Sequence, residues 1–209
     1  MDCQQQQSRS AQESYYRRII DFLDQNQIEY KTVQHEETFT SEESARVRGV
    51  PLSAGGKALL LKTGDDDDEN GKKKNKNNFS LFVMSASRKL DSKAIKKEMK
   101  KTKGKASKNI RFATREELET ITNGLVPGCV PPFGKPIVKS SAGDEDDNNL
   151  DQTVDENGTY LELYVDTSIG EENDIIAFNA GSLTNSVIMS VQDYLRVSAP
   201  TGIFTFSKV

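Results

Sequence analysis

The sequence predicts one compact α+β domain, and three observations carry that expectation. Segments with helical spacing alternate irregularly with apolar runs of strand length, without the regular β-α succession of a doubly wound sheet. At 209 residues the chain sits near the upper end of single-domain size. Only 34% of its residues are hydrophobic and 29% are charged, so the core is smaller than the length suggests and some segments lie outside it.

The elements follow in order. Residues 1–12 are Gln/Ser-rich and read as a disordered tail, with the domain proper running from 13 to 209. Tyr16, Ile19, Ile20 and Leu23 recur at helical spacing, which predicts a helix over 13–25 ending at Gln25-Asn26-Gln27. Ile28, Tyr30 and Val33 mark a short strand. Thr40-Ser41-Glu42-Glu43 ahead of Ala45 and Val47 is a capping signature for a second helix ending near Gly49. Gly55-Gly56 introduces the strand Ala58 to Leu61. Residues 64–78 are an acidic block followed by a Lys/Asn block, too polar to offset their ordering entropy, and read as an insertion joining paired strands, the second being Phe79 to Met84. Asp91 to Lys101 is expected as a helix with Asp91 at its start, Ile110 to Phe112 as a strand, and Thr114-Arg115-Glu116-Glu117 as a capped helix start running to Thr122. Gly124 to Pro136 holds too many fixed dihedrals for regular structure and must be a shaped loop. A second polar insertion over 140–158 precedes strands at Tyr160 to Val165, Ile175 to Phe178 and Ser186 to Ser190, and a short helix from Val191 to Leu195.

Composition narrows the chemistry. No apolar run approaches the roughly 20 residues that span a bilayer, and the first residues lack a basic-then-apolar leader, so a cytoplasmic protein without membrane partners is expected. Cys3 and Cys129 give neither a disulfide framework nor a metal spacing, and both read as reduced thiols. The single histidine, His35, removes most His-based ligand sets and general bases, and reads as a packing or hydrogen-bonding residue. Gly-x-Ser-x-Gly, phosphate-loop, dinucleotide and zinc signatures are all missing. A net charge of −4 argues against bulk attraction to DNA, yet Arg88, Lys89, Lys93, Lys96 and Lys97 open a locally basic stretch that extends to Lys108.

What remains is a constellation in a recognisable order: Thr40-Ser41-Glu42-Glu43, Gly56-Lys57-Ala58-Leu59-Leu60-Leu61-Lys62, the loop Gly128-Cys129-Val130-Pro131-Pro132-Phe133-Gly134, Phe178-Asn179-Ala180-Gly181, and Ser186-Val187-Ile188-Met189. Over most of residues 15–197 this resembles the YbaK / prolyl-tRNA synthetase-associated (insertion-domain-like) family of aminoacyl-tRNA deacylases. The resemblance implies a mixed, mostly antiparallel curved sheet with flanking helices, and trans-editing hydrolysis of mischarged tRNA bearing a small amino acid of the Ala, Ser or Cys class. It implies no cofactor and no metal. The partners implied are mischarged tRNA and an aminoacyl-tRNA synthetase.

The same resemblance assigns the site. Lys57, Gly128 and Pro132 match the catalytic set; Phe39, Thr40, Ser41, Cys129, Val130, Phe133, Gly134, Asn179 and Gly181 match positions around the substrate. Arg88, Lys89, Lys93, Lys96 and Lys97 would meet tRNA phosphates. Read on their own, Lys57 is equally an exposed strand-end lysine, Thr40 a helix cap, Phe39 a core residue, Gly128-x-x-x-Pro132 a structural turn, and the basic stretch a solvated face. A glycine-to-proline loop presents main-chain N–H and C=O groups in a rigid concavity, which supplies an oxyanion site without a catalytic side chain. The chain departs from the family pattern at Ala58, where some alanine-specific relatives are polar, and at Cys129 and Pro131, which leaves the edited amino acid open. Two other readings stand beside this one: a non-catalytic tRNA- or synthetase-binding module of the same fold, and an unrelated hydrolase with Cys129 as nucleophile.

Overall fold

The computed structural model describes residues 3–63, 79–103, 110–134 and 161–209. Both expected polar insertions, 64–78 and 140–158, lie outside the described residues, as does the end of the basic stretch from 104 to 109.

Helix α1 spans Cys3–Gln25, so it begins ten residues before the expected start, and residues 3–12 are helical where a disordered tail was expected. No Gly or Pro interrupts this segment, and its end is tied to the domain: Gln12 Oε1 accepts from the Leu183 N–H at 3.3 Å. Strand β1 (Tyr30–Gln34) leads to α2 (Ser41–Arg48), whose start is the reciprocal box read from the sequence. Thr40 Oγ1 accepts from Glu43 N–H at 3.1 Å, and Glu43 Oε2 accepts from Thr40 N–H at 3.2 Å.

After a single 3-10 turn, Leu52–Ala54, strands β2 (Gly56–Lys62) and β3 (Phe79–Ser85) pair antiparallel with Lys57 opposite Met84. Strand β4 (Lys89–Leu90) precedes α3 (Ser92–Lys103), which Asp91 caps by accepting from Lys93 N–H at 2.9 Å. Strand β5 (Arg111–Phe112), α4 (Arg115–Ile121), β6 (Glu162–Val165), β7 (Ile175–Asn179), β8 (Asn185–Ser190) and α5 (Val191–Ser198) follow, then β9 (Gly202–Ile203) and β10 (Ser207–Lys208).

Two main sheets result. One has the order β5-β2-β3-β6-β9, antiparallel across β5, β2 and β3 and parallel across β3, β6 and β9. The other is an antiparallel triplet, β1-β8-β7. A parallel bridge between Gly55 and Ala177 joins them. The close approach depends on small residues there: a Cβ on Gly56 would lie 2.8 Å from Ile176 Cδ1. The two-residue strands β4, β9 and β10 carry no periodicity long enough to be read from sequence; β10 pairs with β4 and closes the C-terminus over the sheet.

Strand β3 is buried on both faces, which explains its unbroken apolar run. Leu81 and Val83 enter the larger core, with Tyr15, Ile19 and Leu23 of α1, Phe178 of β7, Val187 of β8, Tyr194 of α5, and Leu125 and Phe133 of the loop. Phe82 and Met84 enter a smaller core with Leu61, Ile95 and Met99 of α3, Tyr164 and Phe206. Fully buried Asp166 ties the tail to this second face, accepting from Phe206 N–H and, at 2.7 Å, from Ser207 Oγ.

Candidate active site

Where the two sheets meet, a solvent-open cavity of about 130 Å³ is walled by the segment 38–41, the inner side of α2, the start of β2, the loop residues Gly128 and Val130, and Asn179 at the end of β7. The α2 capping box fixes the first wall. The β2–β3 register and the close packing at Gly56 fix the second. The third is the loop after α4, where Gly128 has φ +91, a left-handed conformation suited to glycine, and the Cys129 N–H donates to Val126 O at 3.1 Å.

Seven of the residues singled out in the sequence surround this cavity: Phe39, Thr40, Ser41, Lys57, Gly128, Val130 and Asn179. Phe39 is 77% exposed, at the rim and not in the core. Lys57 sits on the second residue of β2 and lines the cavity from the sheet side.

Others are placed in the packing around the cavity rather than in its lining. Cys129 is fully buried in the larger core, and burial pushes its thiol up to about 12, so it is neither a cavity residue nor a ready nucleophile. Phe133 is also fully buried, edge-on to Phe22, Phe178 and Tyr194 at 5.4–5.8 Å between centroids. Gly134 lies under Leu161 and Leu163, where a Cβ would fall 2.6 Å from Leu161 O. Gly181 packs on Tyr15. Pro132 does not line the cavity either; its carbonyl accepts from Tyr194 Oη at 2.9 Å, which anchors the loop from beneath.

The basic stretch stands apart from the cavity lining. Lys93, Lys97 and Lys100 share one exposed face of α3, opposite the inward Ile95 and Met99, and Lys89 is exposed on β4. Lys96 is half-buried. Arg88 is engaged by Glu171 and Glu172 at 3.2 and 3.3 Å.

The residue that sequence reading missed is Arg48. It ends α2 only 8% exposed and lines the cavity. Its Nε donates to Ser186 Oγ at 2.8 Å, Nη1 to Ala177 O at 3.3 Å, and Nη2 to Asn179 Oδ1 at 2.6 Å. Burial lowers its pKa to about 10, still well above neutrality, so it stays charged. Asn179 Nδ2 in turn donates to Gly128 O at 2.8 Å. His35 supports the same cluster: Nδ1 donates to Glu36 O at 2.7 Å, and Nε2 lies 2.7 Å from Ser186 Oγ. Beside Arg48, Thr38 and Ser44 line the cavity with their hydroxyls joined at 2.8 Å. A signal for Arg48 was present: Ala45 and Arg48, three apart, put a charge on the apolar face of α2.

A small polar cavity built from main-chain groups, one lysine and one buried arginine thus sits where the two sheets of an open α+β fold meet, and the comparisons with known proteins give its class. Residues 35–197 match the family described as the aminoacyl-tRNA editing domain, and the chain belongs to that family. It is 27% identical over 185 residues to the multifunctional Ser/Thr-tRNA deacylase ProXp-y of Escherichia coli, in strains K12 and O157:H7, covering 88% of this chain and 89% of that protein. Among solved structures, the protein APE2540 matches with a TM-score of 0.60 at 18% identity, covering 91% of this chain and 99% of that one. A structure described as a candidate trans-editing enzyme for prolyl tRNA synthetase matches with a TM-score of 0.56 at 18% identity, covering 93% and 98%. At these identities the solved structures speak for the fold alone.

Proposed function

We propose that this enzyme clears mischarged tRNA in trans, hydrolysing the ester of a small amino acid. The observation that carries the reading is the convergence of Lys57, Gly128 and Val130 on one cavity. The name of the Escherichia coli relatives favours serine or threonine within the small-residue class, and a wall with the hydroxyls of Thr38 and Ser44 offers hydrogen bonds to a side-chain hydroxyl. The expected setting of this activity is the cytoplasm. A synthetase is the expected second partner.

The aminoacyl ester is already activated, so positioning and dipoles suffice. Water adds to the ester carbonyl carbon. The oxyanion that forms takes a hydrogen bond from the Val130 N–H, which donates to no other described residue. The bond to the ribose oxygen then breaks, and that oxygen takes the proton given up by the water. Gly128 O carries two lone pairs, one of them engaged by Asn179, and orients the water or the vicinal ribose hydroxyl with the other. Lys57, a mobile point charge, grips a phosphate of the tRNA 3′ end, while Phe39, Thr40 and Ser41 form the rim. The exposed lysines of α3 and Lys89 add salt-dependent contacts to the tRNA body.

The test is deacylation of a panel of mischarged tRNAs by the wild type and Lys57→Ala. Seryl- or threonyl-tRNA is expected to be hydrolysed well above the buffer rate, with Lys57→Ala losing both turnover and affinity. A panel in which tRNA binds and no ester is cleaved would replace this reading with the non-catalytic binding module.

A further inference from the structure

We propose that Arg48 is a positioning residue which, through Asn179, fixes the Gly128 carbonyl in the geometry that ester hydrolysis requires. The inference rests on the cavity being the hydrolytic site. It concerns two side chains at the cavity wall, Asn179 touching the loop and Arg48 holding Asn179, and burying the arginine there has a cost.

A guanidinium 8% exposed has given up most of its hydration. Its partners are all neutral: a serine hydroxyl, a main-chain carbonyl and an asparagine amide. Among the described residues no carboxylate pairs with it. An apolar side chain at the end of α2 would pack without that penalty. What the arginine adds is a rigid fork of donors and a positive charge at the cavity wall.

The fork has a definite consequence. A guanidinium only donates, so the end of the Asn179 amide 2.6 Å from Nη2 is its oxygen. The amide nitrogen then points away from Arg48 and donates to Gly128 O at 2.8 Å. The other side of the same peptide is held as well, because the Cys129 N–H donates to Val126 O at 3.1 Å. The Gly128–Cys129 peptide plane is thus clamped at both ends, and because glycine is the most permissive backbone residue it is the clamp that holds the orientation. Ser186 takes part from the side, accepting from Arg48 Nε at 2.8 Å and donating to Asn179 Oδ1 at 3.3 Å, with His35 Nε2 2.7 Å from the same hydroxyl. Without Arg48, the Asn179 oxygen keeps only the longer bond from Ser186 Oγ, at 3.3 Å, and the amide holds the Gly128 carbonyl less rigidly.

The experiment separates positioning from structural support with two substitutions. Asn179→Asp keeps an acceptor for Arg48, and indeed gives it a carboxylate, but removes the donor to Gly128 O. Its melting temperature is expected to match or exceed that of the wild type, while kcat for deacylation falls about 10²-fold, the scale of losing one directed donor, and KM moves by less than about threefold. Arg48→Leu is expected to show the same split, and Arg48→Lys to fail to restore kcat because it supplies charge without the fork. Hydrogen–deuterium exchange of the loop amides of Gly128, Cys129, Val130 and Phe133 gives a readout independent of turnover: exchange should rise in both Asn179→Asp and Arg48→Leu without a fall in melting temperature.

A folded Asn179→Asp with wild-type kcat and wild-type exchange would overturn the proposal. So would kcat and melting temperature falling in parallel across all three variants, which would make Arg48 a structural residue only. Should the wild type cleave no ester, the hydrolytic reading fails on its own, and unchanged loop exchange in the variants would separately refute the clamp.

Discussion

Arg48 and the lysines of α3 carry the same charge in opposite surroundings. Arg48 is buried, holds three defined acceptors, and faces a cavity a few residues wide. Lys93, Lys97 and Lys100 stand on an exposed helix face. In the first setting the low local dielectric makes each hydrogen bond strong and directional, so a displacement of about 1 Å matters. In the second, solvent and salt screen each charge, and what counts is how many phosphates are met. One region does its work through geometry and the other through number, and substitutions should separate them.

The largest effect belongs to the geometric region. Gly128→Val forces a branched side chain into a left-handed backbone, costing about 1–3 kcal/mol in strain, and its Cβ would sit 3.2 Å from Leu183 Cδ2. The peptide must move, and deacylation is expected to fall by about 10²–10³-fold while tRNA affinity changes less than about threefold. Single-turnover hydrolysis beside a filter-binding titration checks this. Equal losses in both would erase the distinction between the two regions.

The exposed region should respond differently. Replacing Lys93, Lys97 and Lys100 together with Ala is expected to raise KM by about tenfold at moderate salt and leave kcat alone. The slope of log affinity against log salt should flatten by roughly 0.7–0.9 for each phosphate that is no longer neutralised. Titrations at several salt concentrations measure that slope, and an unchanged slope would reduce the α3 face to a solvated surface.

The sequence showed elements far better than it showed what lies behind the site. Capping boxes, glycine-bounded strands and the helical stripe of α3 are local patterns with a local physical cause, and Thr40, Gly49 and Asp91 fall where those patterns put them. The cavity residues were legible through family resemblance, since Phe39, Lys57, Gly128 and Asn179 come from four separate segments. Arg48 was not, because its partners lie 129–138 residues away and only the packing of α2 on β7 and β8 brings them near. For the same reason Cys129 and Phe133 looked like site residues: they share a loop with Gly128 and Val130, which line the cavity, but their own side chains lie wholly in the core. Residues 3–12 are helical where a tail was expected, and the hydrogen bond at Gln12 reaches Leu183, 171 positions away, where no local pattern could signal it.

Cys129→Ala probes the back of the geometric region. Its thiol lies in the core with its pKa pushed up to about 12, so kcat is expected to hold within about twofold. Stability should drop by about 1 kcal/mol from the small void, and alkylation of the wild-type thiol should await unfolding. Loss of turnover in a folded Cys129→Ala would restore the thiol to the chemistry and undo the contrast.

The smallest effect is expected at an exposed ion pair. Glu117 accepts from Arg111 at 2.6 and 2.7 Å, and chiefly that partner lowers its pKa to about 2. A folded-state pKa held below the unfolded value contributes stability that is full above the ordinary carboxylate range and is lost as pH falls toward 2. Because 44% of the Arg111 side chain and 29% of the Glu117 side chain are exposed, solvent screens most of the pair and the gain is small. Glu117→Gln retains a side chain able to close the capping box with Thr114, so it isolates the charge. The melting temperature should drop by about 1–3 °C at pH 7, and the two proteins should converge as the pH is lowered from about 4.5 to 2. A difference that persists at pH 2, where wild-type Glu117 is half protonated and its unfolded counterpart fully so, would mean that the charge of the exposed pair was never its source. The contrast with Arg48 would then rest on packing alone.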